Sequence, residues 1–328
     1  MLEQPIVFEK EEKKARVITS EVEAKPLGQR FVYYLKRDKT LYLMLLLPIA
    51  GFVIFKYVPI ITGFIIPFVD YNLFDGVWGS KWVGFKYFKQ FFEDPFFFRL
   101  IRNTLLLGIY GLIFGFPGPI ILALLFNELR NQPFKRVAQS ISYLPHFVST
   151  VVMVGILYNL FGFQGTANQL IGLLGGKAIK FFSNPGWFRP IYIGSGIWQG
   201  IGWSTIIYLA SLAGINPELY ESAHVDGANR WRQAIHITLP GMMPTVSILL
   251  IFAVAGIVSV GFEKAFLMQN PAIYETADVI STYVYRRGIV GMDFSFGQAI
   301  GLFNAAIAII LLTTANYISK IASDTSLW

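Results

Sequence analysis

Few of the 328 residues have types and spacings suited to bond-making chemistry. There is no cysteine, which removes disulfides, thiolate nucleophiles and thiolate metal sites. The three histidines, His146, His224 and His236, stand apart from any second ligand at metal-binding spacing. No metal site is expected. No paired acids and no nucleophile–base set mark a catalytic centre. The nearest approach to a G-x-x-x-x-G-K-[ST] phosphate loop ends at Gly176, Lys177 and Ala178. Ile171 stands where its first glycine belongs, and Ala178 where its hydroxyl belongs. No catalytic residue and no bound nucleotide or other cofactor is therefore expected of this chain.

The informative stretch is Asn216 to Pro244, NPELYESAHVDGANRWRQAIHITLPGMMP. Asn216 suits an N-cap, and Pro217 suits the first turn, where a missing N–H costs little. Glu218 and Glu221 sit near the positive end of that helix. Gly227 supplies a left-handed residue that stops it. A second helix is expected over Asn229 to Ile237, with Pro240 preventing its simple continuation. The pair is too polar for lipid and carries ordered start and stop signals.

The rest of the chain reads as membrane. Hydrophobic residues make up 54% and charged residues 14%, against about a quarter charged in soluble domains. A helical span needs about 20 mostly apolar residues. Six segments qualify, at about 41–66, 103–126, 138–161, 190–212, 243–263 and 295–319. The expected fold is an all-α integral membrane bundle of six helices, with the helix–turn–helix at 213–242 hanging from it. Residues 1–40 read as a polar N-terminal tail with no cleavable leader, and 321–328 as a short C-terminal tail. Lys25, Arg30, Lys36, Arg37 and Lys39 crowd the N-terminal side of the first span. That places both tails and the loops at 128–137 and 213–242 in the cytoplasm. The net charge of +7 is better read as loop charge flanking spans than as a nucleic-acid surface.

The spacing within the helix pair resembles a known family. Glu-Ala-Ala, three residues, Gly, nine residues, Ile-x-Leu-Pro marks the membrane subunits of bacterial binding-protein-dependent ABC importers. This chain has Glu221, Ser222, Ala223, three residues including Asp226, Gly227, then Ile237, Leu239 and Pro240. Ser222 for alanine is the one departure, small for small. Tyr71 to Asn103 and Thr276 to Gly288 resemble the sugar-transporting MalF-like branch. Tyr143 to Ser149, YLPHFVS, is similar to oligosaccharide permeases of the LplB type.

The resemblance implies the type I ABC importer permease fold and a bacterial cytoplasmic (inner) membrane. It further implies a second related permease, most simply as a heterodimer, two cytoplasmic ATPase subunits that hold ATP and Mg²⁺, and an external solute-binding protein delivering an oligosaccharide. The helix pair would seat in a groove of an ATPase, with Glu221 at the contact and Gly227 permitting the bend. Loop lysines and arginines fit a uronate-containing sugar, such as alginate or pectin fragments, and ordinary loop charge equally well.

Sugars are held by stacking on aromatic rings and by hydrogen bonds. Candidates for the pathway are Tyr143, Trp198, Gln199, Trp203, Tyr208, Glu263 and Asn304. Gln199 and Trp203 are four apart on one helix face, and Glu263 closes the fifth span. An interfacial belt or plain packing explains the tryptophans as well. The rival class is a secondary transporter or channel, which would show internal repeats and several buried ionisable groups; neither is visible.

Overall fold

The computed structural model describes residues 26–323 and 325–328. The chain divides into two units, with the boundary after Ile65.

In the first unit, residues 27–37, expected within a polar tail, form an amphipathic helix, α1 (Leu27–Arg37). The remainder of that tail, residues 1–25, lies outside the described residues. Next come α2 (Lys39–Phe52) and α3 (Val58–Ile65), joined by a π-helical turn at Val53–Tyr57. That turn ends two residues before Pro59. The wider turn relieves the clash of the proline ring with the carbonyl four residues back. The side chains along this apolar stretch are exposed, Leu47 at 79% and Phe55 at 81%, as a lipid-facing helix requires.

The second unit opens with a two-stranded antiparallel ribbon, β1 (Val69–Asp70) against β2 (Lys81–Trp82), and the short helix α4 (Lys86–Phe92). Helices α5 (Phe97–Gly115) and α6 (Pro117–Glu128) form one 32-residue apolar run bent at Pro117. The third span was expected from about 138. Instead, α7 (Gln132–Tyr143) is amphipathic and ends in a 3-10 turn at Leu144–Phe147. A new helix, α8 (Thr150–Phe161), starts only after Ser149 caps the Val152 N–H. The reason is Pro145, which cannot continue a helix. The apolar run extends through α9 (Thr166–Leu173).

Helix α10 (Pro185–Ala213) has 29 residues, about 43 Å, long enough to cross a bilayer. Its glycines, serines, Trp198, Gln199 and Trp203 leave it less apolar than the five segments that qualify on both length and composition, Lys39–Phe68, Phe97–Glu128, Thr150–Leu173, Arg230–Val258 and Phe294–Ile321. The coupling-loop candidates α11 (Glu218–Val225) and α12 (Arg230–Gln233) follow. Helix α13 (Leu239–Ala255) then leads to the short helices α14 (Phe262–Met268) and α15 (Ile280–Val284). The chain closes with α16 (Phe294–Ser323).

Three apolar clusters hold this unit. Leu107, Leu157, Phe188 and Met268 join α5, α8, α10 and α14. Phe91, Leu100, Phe296 and Ile300 join α4, α5 and α16. Ala123, Tyr208 and Met242 join α6, α10 and α13. Backbones meet closely where glycine allows: a Cβ on Gly202 would lie 2.0 Å from the Ser142 carbonyl oxygen, and one on Gly108 2.0 Å from that of Ile257. Small residues at crossings are the usual basis of packing in lipid, where apolar burial gives no drive.

At one end of the bundle sits a buried polar junction. The Asp278 carboxylate is fully buried. It accepts from Arg286 at 2.9 Å, Arg99 at 3.0 Å and the Thr282 hydroxyl at 3.2 Å. The Asn103 amide donates to the carbonyls of Glu275 and Asp278, and its oxygen accepts from Arg189 at 2.8 Å. The junction thus ties the ends of α5 and α10 to the segment preceding α16. Arg99 and Arg286 keep about a third of their surface exposed, so removing Asp278 costs hydrogen bonds to charged groups rather than stranding buried charges. Asp278→Ala should destabilise the permease by about 2 kcal/mol, read as a lower unfolding temperature in lipid nanodiscs.

Candidate functional site

The stretch from Asn216 to Gly241 is locally over-determined. Asn216 Oδ1 accepts from the Glu218 N–H at 3.0 Å, so Asn216 caps α11. At the other end Gly227 has φ +75°. Its N–H donates to the His224 carbonyl, and the Ala228 N–H donates to the Ala223 carbonyl at 2.8 Å. Those two bonds are a Schellman motif, which satisfies carbonyls the helix end would leave bare. Asn229 Oδ1 then accepts from the Arg232 N–H at 2.9 Å and starts α12.

Pro240 does not break the second helix, contrary to expectation. A π-helical turn at Ala234–Thr238 carries α12 straight into α13. The turn ends two residues before Pro240, as the one at Val53–Tyr57 ends two before Pro59, and the physical reason is the same. The second helix of the pair is therefore continuous with a span. Tyr220 and Thr238 hydroxyls lie 3.1 Å apart and tie α11 to that stem. Gly241 receives Ile215 so closely that a Cβ would come within 2.7 Å of it. Arg230 donates to Glu128 at 2.6 Å, tethering α12 to the end of α6. Both side chains are about half exposed, so this ion pair adds little stability and acts as a position marker.

Between the α6 end and the pair opens a cavity of about 1210 Å³, lined by Glu128, Tyr220, Glu221, His224, Gly227 and Arg230 among others. Glu221, Ser222, Asp226 and Gly227 are exposed, Ala223 and Ile237 half-buried, and Leu239 and Pro240 lie at the start of α13. Apolar side chains stand bare on the pair: Val225 at 86% and Trp231 at 74%, with Leu219 half exposed. A structured polar loop that exposes large apolar groups has the form of a docking element.

The pathway candidates do not form one constellation. Gln199, Trp203 and Tyr208 line two adjoining cavities, of about 360 and 480 Å³, which share Gly115, Pro119 and Ser204. Gln199 Nε2 donates to the Val148 carbonyl at 2.8 Å, pinning the break between α7 and α8. Trp203 stacks on His146 with centroids 4.5 Å apart and planes 1° apart. Tyr208 is buried in the core. Trp198 faces a different, almost wholly apolar cavity with Met153 and Trp187. Tyr143 ends α7, half-buried. Asn304 donates to the Val258 carbonyl at 3.2 Å, with its own oxygen buried and unpartnered. Glu263 does not close the fifth span, because α13 gives way to a 3-10 turn at Gly256–Val258; it is exposed in the first turn of α14.

Two side chains were missed in the sequence. His146 reads in the sequence only as a possible metal ligand, and its stack on Trp203 needs tertiary structure. Lys264 follows Glu263 just past the apolar run of the fifth span and reads in the sequence as a boundary charge. Its ammonium donates to the Tyr192 carbonyl at 2.7 Å and stands 4.6 Å from the Tyr192 ring centroid. Burial pushes its pKa down from the usual lysine range to about 8. A Glu-Lys pair directly after an apolar run was the available signal.

Residues 115–324 match the family model of the binding-protein-dependent transport system inner membrane component. The match spans the helix pair and every helix from α6 to α16, and the chain belongs to that family of inner-membrane permeases of ABC importers. It is 47% identical to Protein LplB of Bacillus subtilis over 294 residues, 89% of this chain and 92% of that one. It is 43% identical over 310 residues to the polygalacturonan/rhamnogalacturonan transport system permease protein YteP of the same organism, covering 94% and 96%. A bacterial ABC transporter involved in the import of the acidic polysaccharide alginate superposes with a TM-score of 0.83 at 41% identity, over 90% of this chain and 99% of that chain. The same transporter fold in complex with an alginate pentasaccharide-bound periplasmic protein matches equally, at 0.83.

Space around Gly227 is open, with no atom within 4 Å of an added Cβ. Only backbone strain opposes substitution there, about 1–2 kcal/mol for an L-residue in the left-handed region. Gly227→Ala should therefore speed amide exchange at Gly227 and Ala228 by about tenfold or more, and Gly227→Asn by less. Hydrogen exchange of the purified permease in lipid measures both.

Proposed function

We propose that this chain is one of two related permease subunits, most simply in a heterodimer, of an importer that carries a uronate-containing oligosaccharide across the bacterial inner membrane. The substrate reading draws on the pectin-derived and alginate names of close relatives at 43% and 41% identity. In this reading two cytoplasmic ATPase subunits hold ATP and Mg²⁺ and this chain binds no cofactor. A solute-binding protein docks on the outside. Both termini and the loops at 128–137 and 213–242 face the cytoplasm, consistent with Lys and Arg at the head of the first span.

The observation that carries the mechanism is the rigid, apolar-tipped helix pair. Glu221, Ser222, Ala223, Asp226 and Gly227 form the helix and turn offered to the ATPase, and Ile237, Leu239 and Pro240 carry it into α13. Leu219, Val225 and Trp231 supply area for a helix-in-groove contact. Closure of the ATPases around ATP moves the two pairs together. Because the π turn leaves no slack between α12 and α13, that displacement passes to the span, and the permease halves rock about a central path. Gln199, Trp203 and Tyr208 lie along that path in this reading.

The test is sugar-stimulated ATP hydrolysis and uptake by the whole complex in proteoliposomes, comparing wild type with Gly227→Pro. Proline fixes φ near −65°, far from +75°, and removes the N–H that bonds His224. Stimulated hydrolysis and uptake should each fall more than tenfold while the complex still assembles. Normal coupling in an assembled Gly227→Pro complex would refute this role for the pair and favour a secondary transporter or channel.

A further inference from the structure

One cation in the bundle faces a cavity without a carboxylate to answer it. Lys264 reaches from α14 across α10 into the cavity of about 360 Å³ between α5 and α10. Glycines open that cavity: Gly111 and Gly115 on α5, Gly196 and Gly200 on α10. Gly196 is the site past which the lysine passes, since a Cβ there would lie 3.3 Å from its Nζ. Among the described residues the ammonium has one protein acceptor, the Tyr192 carbonyl, and no acidic partner. An ammonium carries three N–H donors, so two remain for a ligand. Beyond the carbonyl and ring face of Tyr192, no carboxylate in the lining compensates the charge, although burying a cation without a counter-charge is costly.

The remaining polar groups in the cavity are the Gln199 amide, the Ser204 hydroxyl and the Tyr192 ring. Gln199 spends Nε2 on Val148 and keeps its oxygen for a hydroxyl donor. A planar ring, an amide oxygen, a hydroxyl and one ammonium suit a pyranose that carries a carboxylate. A neutral sugar would leave the ammonium unanswered. The volume lies within the range of small-molecule sites.

We infer that Lys264 is the residue by which the membrane pathway itself selects uronate sugars, its ammonium pairing with a sugar carboxylate in the glycine-lined cavity between α5 and α10. This rests on the oligosaccharide-import reading and adds to it a permease-level selectivity for the acid, separate from that of the binding protein. Tyr192, Gln199 and Ser204 hold the ring while Lys264 reads its charge.

The experiment measures uptake into proteoliposomes holding the complete transporter and its binding protein. Two probes of equal length are compared: an oligogalacturonide and the same chain with its carboxyl groups reduced to alcohols. Wild type, Lys264→Met and Lys264→Arg are assayed side by side. A hydrogen bond to a charged partner corresponds to about tenfold or more. Lys264→Met should lower uptake of the acidic oligomer by about tenfold and leave or raise that of the reduced one, while Lys264→Arg keeps acidic uptake within about threefold of wild type. The inference is overturned if Met and Arg variants lose acidic uptake equally, if Met lowers both probes equally, or if Met leaves acidic uptake intact. A pairing of Lys264 with a carboxylate of the second permease would give the equal loss for both probes. Failure of the wild type to take up either oligomer overturns the import reading as well, which separates the two failures.

Discussion

Hydrocarbon offers no partner to a backbone N–H or C=O, so each one at membrane depth must be satisfied within the protein. Much of this architecture answers that demand at its prolines. The π-helical turn that precedes Pro59 keeps a helix running within the first apolar span, and the same device before Pro240 carries the polar helix pair into α13. At Pro145 the chain does stop, and Gln199 reaches across from α10 to take up the freed carbonyl of Val148. The break between α7 and α8 is thereby stitched to the middle of the least apolar long helix.

Mechanical continuity follows from the same device at Pro240. If Pro240 ended a helix, the loop at 213–242 would hang on a hinge. The π turn instead makes α12 and α13 one strut, and Tyr220, Ile215 and Arg230 brace it against α13 and α6. A strut transmits displacement, whereas a hinge would absorb it. At the other end of the bundle, the buried Asp278 with Arg99 and Arg286 ties the helix ends together.

Much of this was legible in the sequence because it depends on local signals. Asn216, Gly227 and Asn229 are capping residues whose roles follow from their own backbone preferences, and each sits where those preferences put it. The family motif needs only spacing. Length and apolarity marked five long apolar segments, though the third begins at Thr150 rather than near 138, the fifth ends at Val258 rather than near 263, and α10 carries enough Gly, Ser and Trp to weaken that signal. What escaped depends on contacts far apart in the chain. A proline read alone says break, and only the register of the preceding turn shows that Pro240 is bypassed. Glu263 looked like the end of a span because apolar composition runs on past Val258, while the backbone turns there. Lys264, beside Glu263 at the end of an apolar run, has the look of a boundary charge in sequence; Tyr192 and Gly196, some seventy residues earlier, stand beside it only in the fold. The pathway candidates divided among separate cavities for the same reason: aromatic and amide types along a helix do not say which neighbour each face meets.

The central claim is that the helix pair is seated in the ATPase. The chain has no cysteine, so Val225→Cys introduces a single thiol at a position 86% exposed in the permease. The most direct measurement is the rate at which a maleimide labels that thiol in the permease alone and in the complex with the ATPase subunits. Docking predicts labelling slowed by about tenfold or more in the complex, with the burial of Val225 in an apolar contact. Equal labelling rates in a complex shown to be assembled would place the pair in open water and contradict the account.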